Sequence, residues 1–419
     1  MENYLSDIIK EEYQEWVPGH LIFLSAHTGS GKTFFILNEL VRFAALNGKK
    51  ILYLVNRSIL QEQIQEKINT EVKSQLRCNK DIMSENLGNV IEVKLYQTIE
   101  NECKRNPDYK SQEEYDYIIA DECHYFLEDA TFNTYTQLSY EWIMKKKDDA
   151  VLIFISATID RIKKYILDDN GIREEDDAKE SDKRIKVMRG DLDTRDFVKN
   201  YDMKADYSYV KVSLFKKIEE IVESVEADNG KWLIFVDSIE KGRKMEVLLK
   251  EKGVDVAFIT AESKRDEELF GMVKKIGTKE KYEQRVLIAT SVMDNGISIK
   301  DLELRKLIIM AVTKEQFIQM LGRKRLSSNS EKLKLYILVR EKEDFRKLLE
   351  ECKKRIRFIS EFQDDNFQRS YSRLLERMLE SSACYQCAKN VCLVRQDSLA
   401  FSDLAIAQYD YLYGYYQRI

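Results

Sequence analysis

Proline is nearly absent from the chain. Its 419 residues contain two, Pro18 and Pro107, so proline does not mark the joints between domains. There is no apolar run of the roughly 18 residues needed to cross a bilayer. The opening segment, MENYLSDIIKEEYQEW, is acidic and lacks a basic stretch followed by an apolar core. Neither a membrane span nor a secretory signal is therefore expected, and the reading places the chain in the cytoplasm. Seven cysteines spread over a chain of this length do not make a disulfide framework. Basic charge is not in excess either: 68 Lys and Arg face 73 Asp and Glu, a net charge of −5. Such a chain has no general attraction for polyanions, so any phosphate binding must come from local cations and backbone N–H groups. What is present is a soluble globular balance, 44% hydrophobic and 34% charged, in a chain long enough for two or three domains. Composition alone points to no activity.

The order of elements says more. In the first half, residues 21–26, 50–55, 90–95, 115–120 and 151–155 are short apolar runs that read as buried strands. Helical spacing fills residues 33–46, ending near Gly48, and continues from Ser58 to about Glu71. Strands separated by helices of this length predict a parallel sheet with right-handed crossovers. Residues 168–184, DDNGIREEDDAKESDKR, are charged and aperiodic and read as an exposed loop near a domain end. The pattern then repeats, with strands expected at 232–236, 254–259, 285–289, 305–310 and 333–339. From Glu341 the chain reads as helical and highly charged. The expected division is residues 1–190, 191–340 and a helical extension over 341–419.

The strongest chemical signal is AHTGSGKT, residues 26–33, between an apolar strand and a helix. That is the setting a phosphate-binding loop requires. The small residues Gly29, Ser30 and Gly31, with His27 and Thr28 before them, let backbone N–H groups turn toward phosphates. The helix N-terminus adds partial positive charge. Lys32 supplies a full one to the β- and γ-phosphates, and the Thr33 hydroxyl can ligate Mg²⁺. The second signal is YDYIIADECH, residues 115–124, in which a strand delivers adjacent carboxylates at its C-terminal end. Ligands bind at that edge of an open α/β sheet. Asp121 is expected to hold the Mg²⁺ shell and Glu122 to orient or deprotonate the attacking water. Cys123 reads as a buried spacer, and His124 taken alone as a packed residue.

In order and spacing, AHTGSGKT, DECH, SAT (156–158) and QMLGRKR (319–325) resemble motifs I, II, III and VI of superfamily two helicases, DExH branch. The resemblance covers roughly residues 15–340. It implies an α/β fold of two tandem RecA-like domains with mainly parallel sheets, followed here by the helical extension. It implies an ATP- and Mg²⁺-dependent helicase or translocase on DNA or RNA, DNA favoured, with an ATP-gated clamp as the alternative. It adds His124, Gln319, Arg323 and Arg325 to the catalytic group and suggests 3′ to 5′ movement. Arg57 in VNRSILQE, Gln97 and Thr98 in YQTI, Ser238 in LIFVDS and Thr290 in ATSVMDNGISI resemble nucleic-acid contacts, with Gly296 beside the nucleotide. Ser298 stands where many relatives carry Asp. A chain with little beyond the motor resembles helicases of phages and mobile elements. Many relatives also read Q-x-x-G-R-x-x-R, whereas here Arg325 comes one residue early. On a regular helix, side chains two apart point about 200° away from each other, so Arg323 and Arg325 could not both face one phosphate. Either the backbone is irregular there or one arginine is the finger, and register with Gln319 and Gly322 favours Arg323.

Two features stand outside this pattern. Cys384, Cys387 and Cys392 could share a Zn²⁺, but a structural site wants four ligands and no histidine lies nearby, so reduced structural cysteines are the favoured reading. The tyrosines from Tyr409 to Tyr416 could stack on bases, although a packed terminal helix is favoured.

Overall fold

The computed structural model describes residues 4–27, 29–72, 90–111, 113–174, 185–187, 197–260, 262–263, 266–290, 298–326, 331–362, 382–395 and 398–419. Two six-stranded, all-parallel sheets dominate it. The first comprises β1 (Leu21–Ser25), β2 (Ile51–Val55), β3 (Ile91–Leu95), β4 (Tyr117–Asp121), β5 (Val151–Ser156) and β8 (Val198–Asp202), in the order β3-β2-β4-β5-β1-β8. The second comprises β9 (Val210–Phe215), β10 (Lys231–Phe235), β11 (Val256–Ile259), β12 (Val286–Ala289), β13 (Leu304–Ile309) and β14 (Leu333–Leu338), in the order β11-β12-β10-β13-β14-β9. These are tandem RecA-like domains, followed by a mainly helical extension.

The apolar runs form strands because each is covered on both faces. Along β1, Leu21 and Phe23 enter one core while Ile22 and Leu24 enter the other. Along β10, Leu233 and Phe235 alternate in the same way with Trp232 and Ile234. A parallel sheet packed with helices on both sides demands this, and it makes the strands continuously hydrophobic.

Two strands of the six-stranded sheets lie where none was expected. β8 (VKNYD) and β9 (VKVSLF) are each the outermost strand of their sheet, with mixed burial along their length. An edge strand pairs on one side only and can keep polar residues, so it lacks the apolar signature. β8 pairs with β1, so the first sheet runs on past the division expected at residue 190. The expected loop at 168–184 is also partly structured. It begins in the helix Asp160–Asp169 and contains β6 (Ile172–Glu174), paired antiparallel with β7 (Ile185–Val187), and residues 175–184 lie outside the described set.

The extension comprises the helices Lys342–Phe362, Ser382–Val391 and Asp403–Arg418, with a hairpin of β15 (Cys392–Arg395) and β16 (Ser398–Phe401) before the last helix. The terminal helix is packed. Tyr409 and Tyr416 are buried in a cluster with Cys352 and Phe358, while Leu404 and Ala405 join the core of the first domain.

Candidate nucleotide site and strand face

The phosphate loop grows from the end of β1. Ala26 N–H donates to Ser156 O (3.2 Å), which ties the loop to the SAT segment at the end of β5. The turn closes through Ser30 N–H to His27 O (3.3 Å). Gly29 and Gly31 have φ of +88° and +85°, a backbone that L side chains rarely adopt, which is why glycine stands at both. A Cβ at Gly31 would also come within 3.3 Å of the Tyr4 ring, whereas one at Gly29 would meet nothing within 4 Å. The loop is thus backed by the N-terminal segment and open over Gly29. Lys32 starts the helix and Thr33 lies in its first turn. Thr28 lies outside the described residues. Burial and the Lys32 charge lower the His27 pKa, so that imidazole is neutral beside the loop.

Across the loop, β4 presents the acidic pair. Lys32 Nζ lies 3.6 Å from Glu122 Oε1, with both side chains largely buried. Tyr53 OH donates to Asp121 Oδ2 (2.8 Å), Glu122 N–H donates to Asp121 Oδ1 (3.0 Å), and Tyr96 OH donates to Asp121 O (2.9 Å). Glu122 has φ +51°, a strained backbone for a non-glycine residue, held where the chain leaves the strand. The two carboxyls are driven apart electrostatically. Burial raises Asp121, with Lys32 opposing. Burial also raises Glu122, but the charges of Lys32, His124 and Arg323 outweigh it and hold that carboxyl at about 2. His124 is more than a packed residue: its Nδ1 lies 2.9 Å from Ser156 Oγ and 3.4 Å from Glu122 Oε2. Ser156 Oγ in turn accepts from Thr158 N–H (3.0 Å), so the DECH and SAT segments form one hydrogen-bonded unit.

The arginine pair resolves differently from a regular helix. The helix Lys314–Gly322 stops before Arg323, and the chain then runs beside Ile299: Ile299 N–H donates to Arg323 O (2.8 Å) and Arg325 N–H to Ile299 O (2.9 Å). Lys324 turns inward to pair with buried Glu331 at 2.5 Å. Arg323 keeps helical dihedrals as the C-cap and the chain leaves the helix after it, so the spacing on a regular helix no longer applies. The Arg323 charge acts on Arg325 and also on Glu122 across the cleft. Gln319 does not face the nucleotide loop. Its Nε2 donates to Glu128 (3.2 Å to Oε2), and burial together with the charges of Asp129 and Glu315 pushes Glu128 up to about 8.

The residues expected on the strand track are only partly assembled. Arg57 is not free, because its guanidinium pairs with Asp129 at 3.3 Å, and burial pushes that carboxyl up to about 6. Gln97 Nε2 donates to Tyr125 OH (3.1 Å) and Asn56 O (3.3 Å), which sets it beside Arg57 but turns its amide inward. Thr98 is exposed on the same helix, Tyr96–Arg105. Ser238 Oγ caps the helix Ile239–Glu251 by accepting from Lys241 N–H (3.2 Å), a use of that hydroxyl that sequence reading missed. Thr290 follows β12, and Gly296 lies outside the described residues. Residues to which sequence reading assigned no role turn out to matter: Tyr53, Tyr96, Glu128 and Asp129. Asn56 is buried at the end of β2, and its amide has no hydrogen-bond partner among the described residues. Only the fold, which sets β2 beside β4, brings Tyr53 to the acidic pair.

Of the three cysteines, the side chains of Cys387 and Cys392 are described. Cys387 Sγ accepts from Arg355 (3.3 Å), Cys392 is buried at the start of β15, and the Cys384 side chain is outside the described set. Among the described residues no group of three His, Cys, Asp or Glu is placed to hold a metal ion.

Comparison with known proteins agrees with this architecture. Residues 5–161 match the family model of the type III restriction enzyme res subunit, and residues 213–325 match the helicase conserved C-terminal domain. The chain belongs with the two-domain helicases of superfamily two. A protein of the Sulfolobus islandicus filamentous virus (isolate Iceland/Hveragerdi), described as a helicase, is 26% identical over 373 residues. That alignment covers 81% of this chain and 63% of the viral protein, so the chain spans less than two thirds of its relative. Among solved structures, S. cerevisiae Dbp5 bound to RNA and ADP BeF3 superposes with a TM-score of 0.53 at 15% identity, covering 78% of this chain and 81% of the other. A single-substitution variant of the same yeast protein gives 0.52 at 16% identity, with the same coverage. At these identities the likeness concerns the fold.

Proposed function

We propose that the chain is an ATP-driven helicase or translocase that couples hydrolysis between its two domains to movement on a nucleic-acid strand. The observation that carries this reading is the meeting of Lys32, Glu122 and His124 in one domain, with the charge of Arg323 from the other domain acting on Glu122. Lys32 now pairs with Glu122, and an incoming triphosphate competes for the same ammonium. Once Lys32 turns to the β- and γ-phosphates, Glu122 loses its strongest cation and becomes a better acceptor for the proton of the attacking water. Thr33 and Asp121 fit the hard oxygen ligation that Mg²⁺ prefers, and the Tyr53 and Glu122 N–H hydrogen bonds fix the Asp121 carboxylate. That ion would neutralise phosphate charge as it develops. Arg323 comes from the second domain, so hydrolysis requires the cleft to be closed. The His124–Ser156 hydrogen bond carries the state of the acidic pair to the SAT segment.

The strand is proposed to cross Arg57, Gln97 and Thr98 on the first domain and Ser238 and Thr290 on the second, with DNA the favoured track and 3′ to 5′ the favoured direction. Binding requires Arg57 to exchange Asp129 for a phosphate. The deciding measurement is the ATPase rate with single-stranded DNA, duplex DNA and RNA, run beside strand displacement. Stimulation with displacement is expected. Stimulation without displacement would leave an ATP-gated clamp, and no stimulation by any of the three would end the reading.

A second measurement concerns the track itself. If it neutralises about four or five single-strand phosphates, log K against log[salt] should slope near −3, at about −0.7 per phosphate. Arg57→Ala should weaken binding uniformly across sequences and leave basal hydrolysis largely intact, and a flat salt response would rule out the phosphate track.

A further inference from the structure

The terminal helix Asp403–Arg418 touches both motor domains at once. On the first domain, the Arg161 guanidinium sits 3.4 Å from the Tyr411 ring centre and donates to Gln408 Oε1 (2.5 Å). On the second, Tyr411 OH donates to Glu315 Oε1 (3.1 Å). Glu315 and Gln319 are one turn apart on the helix Lys314–Gly322, which leads directly into Arg323. Arg161 lies three residues beyond the SAT segment, and Glu128, which accepts from Gln319, follows the DECH segment.

We propose that the terminal helix is a latch across the cleft, in which Tyr411 joins Arg161 of the first domain to Glu315 of the second and thereby positions Arg323 against Glu122. Arg161, Tyr411 and Glu315 are positioning residues for the reaction proposed above, and the inference rests on that reading. The electrostatics favour Arg161 as the keystone. Its charge acts on Glu315 of the second domain and on Glu128 of the first, so it is the shared counter-ion of acids that face each other across the cleft. Without it, the buried Glu315 carboxylate loses a cation that compensates its charge across the cleft. The ring of Tyr411 holds the guanidinium in place, and its hydroxyl supplies the second attachment. The helix is anchored independently of these contacts, because Leu404 and Ala405 are buried in the first core and Leu404 N–H donates to Gln137 Oε1 (3.0 Å). The latch contacts can therefore be broken without releasing the helix.

The test uses the full chain, with X-ray scattering of the nucleotide-free protein beside steady-state ATP hydrolysis. Arg161→Met should enlarge the radius of gyration and lower kcat about tenfold through misplacement of Arg323, while KM for ATP stays within about twofold because the phosphate loop is built by the first domain alone. Tyr411→Phe keeps the ring over Arg161 but removes the hydroxyl bond to Glu315, and should shift the radius of gyration and kcat in the same direction as Arg161→Met by a smaller amount. The double variant Arg161→Met/Glu315→Gln removes the uncompensated buried carboxylate and should recover compactness, a rescue that loss of folding would not produce. An Arg161→Met protein as compact as wild type, or an expansion that the double variant does not reverse, would overturn the latch. If the wild-type chain hydrolyses no ATP, the proposed function fails while the scattering comparison still decides the latch.

Discussion

Arg323→Ala is expected to lower kcat for ATP hydrolysis by about 10³-fold, in line with other arginine fingers, with little change in nucleotide affinity. The split between the two constants follows from where the residues sit. Ground-state grip on the triphosphate belongs to the loop at residues 26–33 and to Lys32, all in the first domain. Arg323 arrives from the second domain and acts on charge that develops only as the γ-phosphate is transferred. It is also the arginine whose charge acts on Glu122, whereas the charges acting on Arg325 are those of Glu280 and Arg323. Arg325→Ala should therefore cost less. Because both residues follow the helix end and the Arg323 charge acts on Arg325, Arg325 is close enough to substitute in part. Single-turnover rates on both variants check this, and the reverse ranking would assign the finger to Arg325.

The second large effect is at the acidic pair. Lys32→Ala should abolish measurable hydrolysis, since it removes the full charge from the β- and γ-phosphates. It has a further consequence in the free protein. Burial pushes the Glu122 carboxyl up, and it rests at about 2 only because Lys32, His124 and Arg323 outweigh that burial. With Lys32 gone the balance shifts and the Glu122 pKa must rise. A carboxylate whose folded pKa is depressed stabilises the fold above its unfolded pKa and loses that contribution as pH falls through the folded value. The variant should accordingly lose stability at a higher pH than wild type on acid titration, and coincident acid-unfolding curves would contradict the Lys32–Glu122 pairing. Glu122→Gln tests the other partner. It keeps the shape of the site and removes the proton acceptor, so ATP and nucleic acid should still bind while turnover fails. Hydrolysis by Glu122→Gln at near the wild-type rate would show that another group activates the water.

Much of this site was legible in the chain because its chemistry depends on local geometry. A phosphate loop needs small residues between a strand and a helix, so Gly29, Gly31, Lys32 and Thr33 announce themselves in eight consecutive residues. The acids of DECH are less telling alone, since carboxylates after a strand often only cap a helix or close a turn, but they become legible once a phosphate loop precedes them in the same sheet. The central strands were equally plain, since burial on both faces leaves an unbroken apolar run. β8 and β9 were not, because an edge strand need not be apolar, and the first domain consequently extends further than charge and glycine content suggested.

What the tertiary structure alone decided lies in long-range contacts. That Tyr53 holds Asp121 depends on β2 lying beside β4, a pairing between segments far apart in the chain. That Arg57 is occupied by Asp129, and Gln97 by Tyr125, depends on which loops share the sheet edge. The reach of Arg323 and Arg325 turned on where one helix stops: spacing left open an irregular backbone or a single finger, and termination at Gly322 with pairing to Ile299 made the backbone irregular there. The role of the terminal helix had no sequence signal at all, since a tyrosine, an arginine and a glutamate become a latch only when packing brings them to one point. Residue type and short spacing thus determined the chemistry available to the chain, because those are properties of neighbours along it. Which side chains are engaged, and by which domain, was left to tertiary packing, because that depends on contacts between residues the sequence holds far apart.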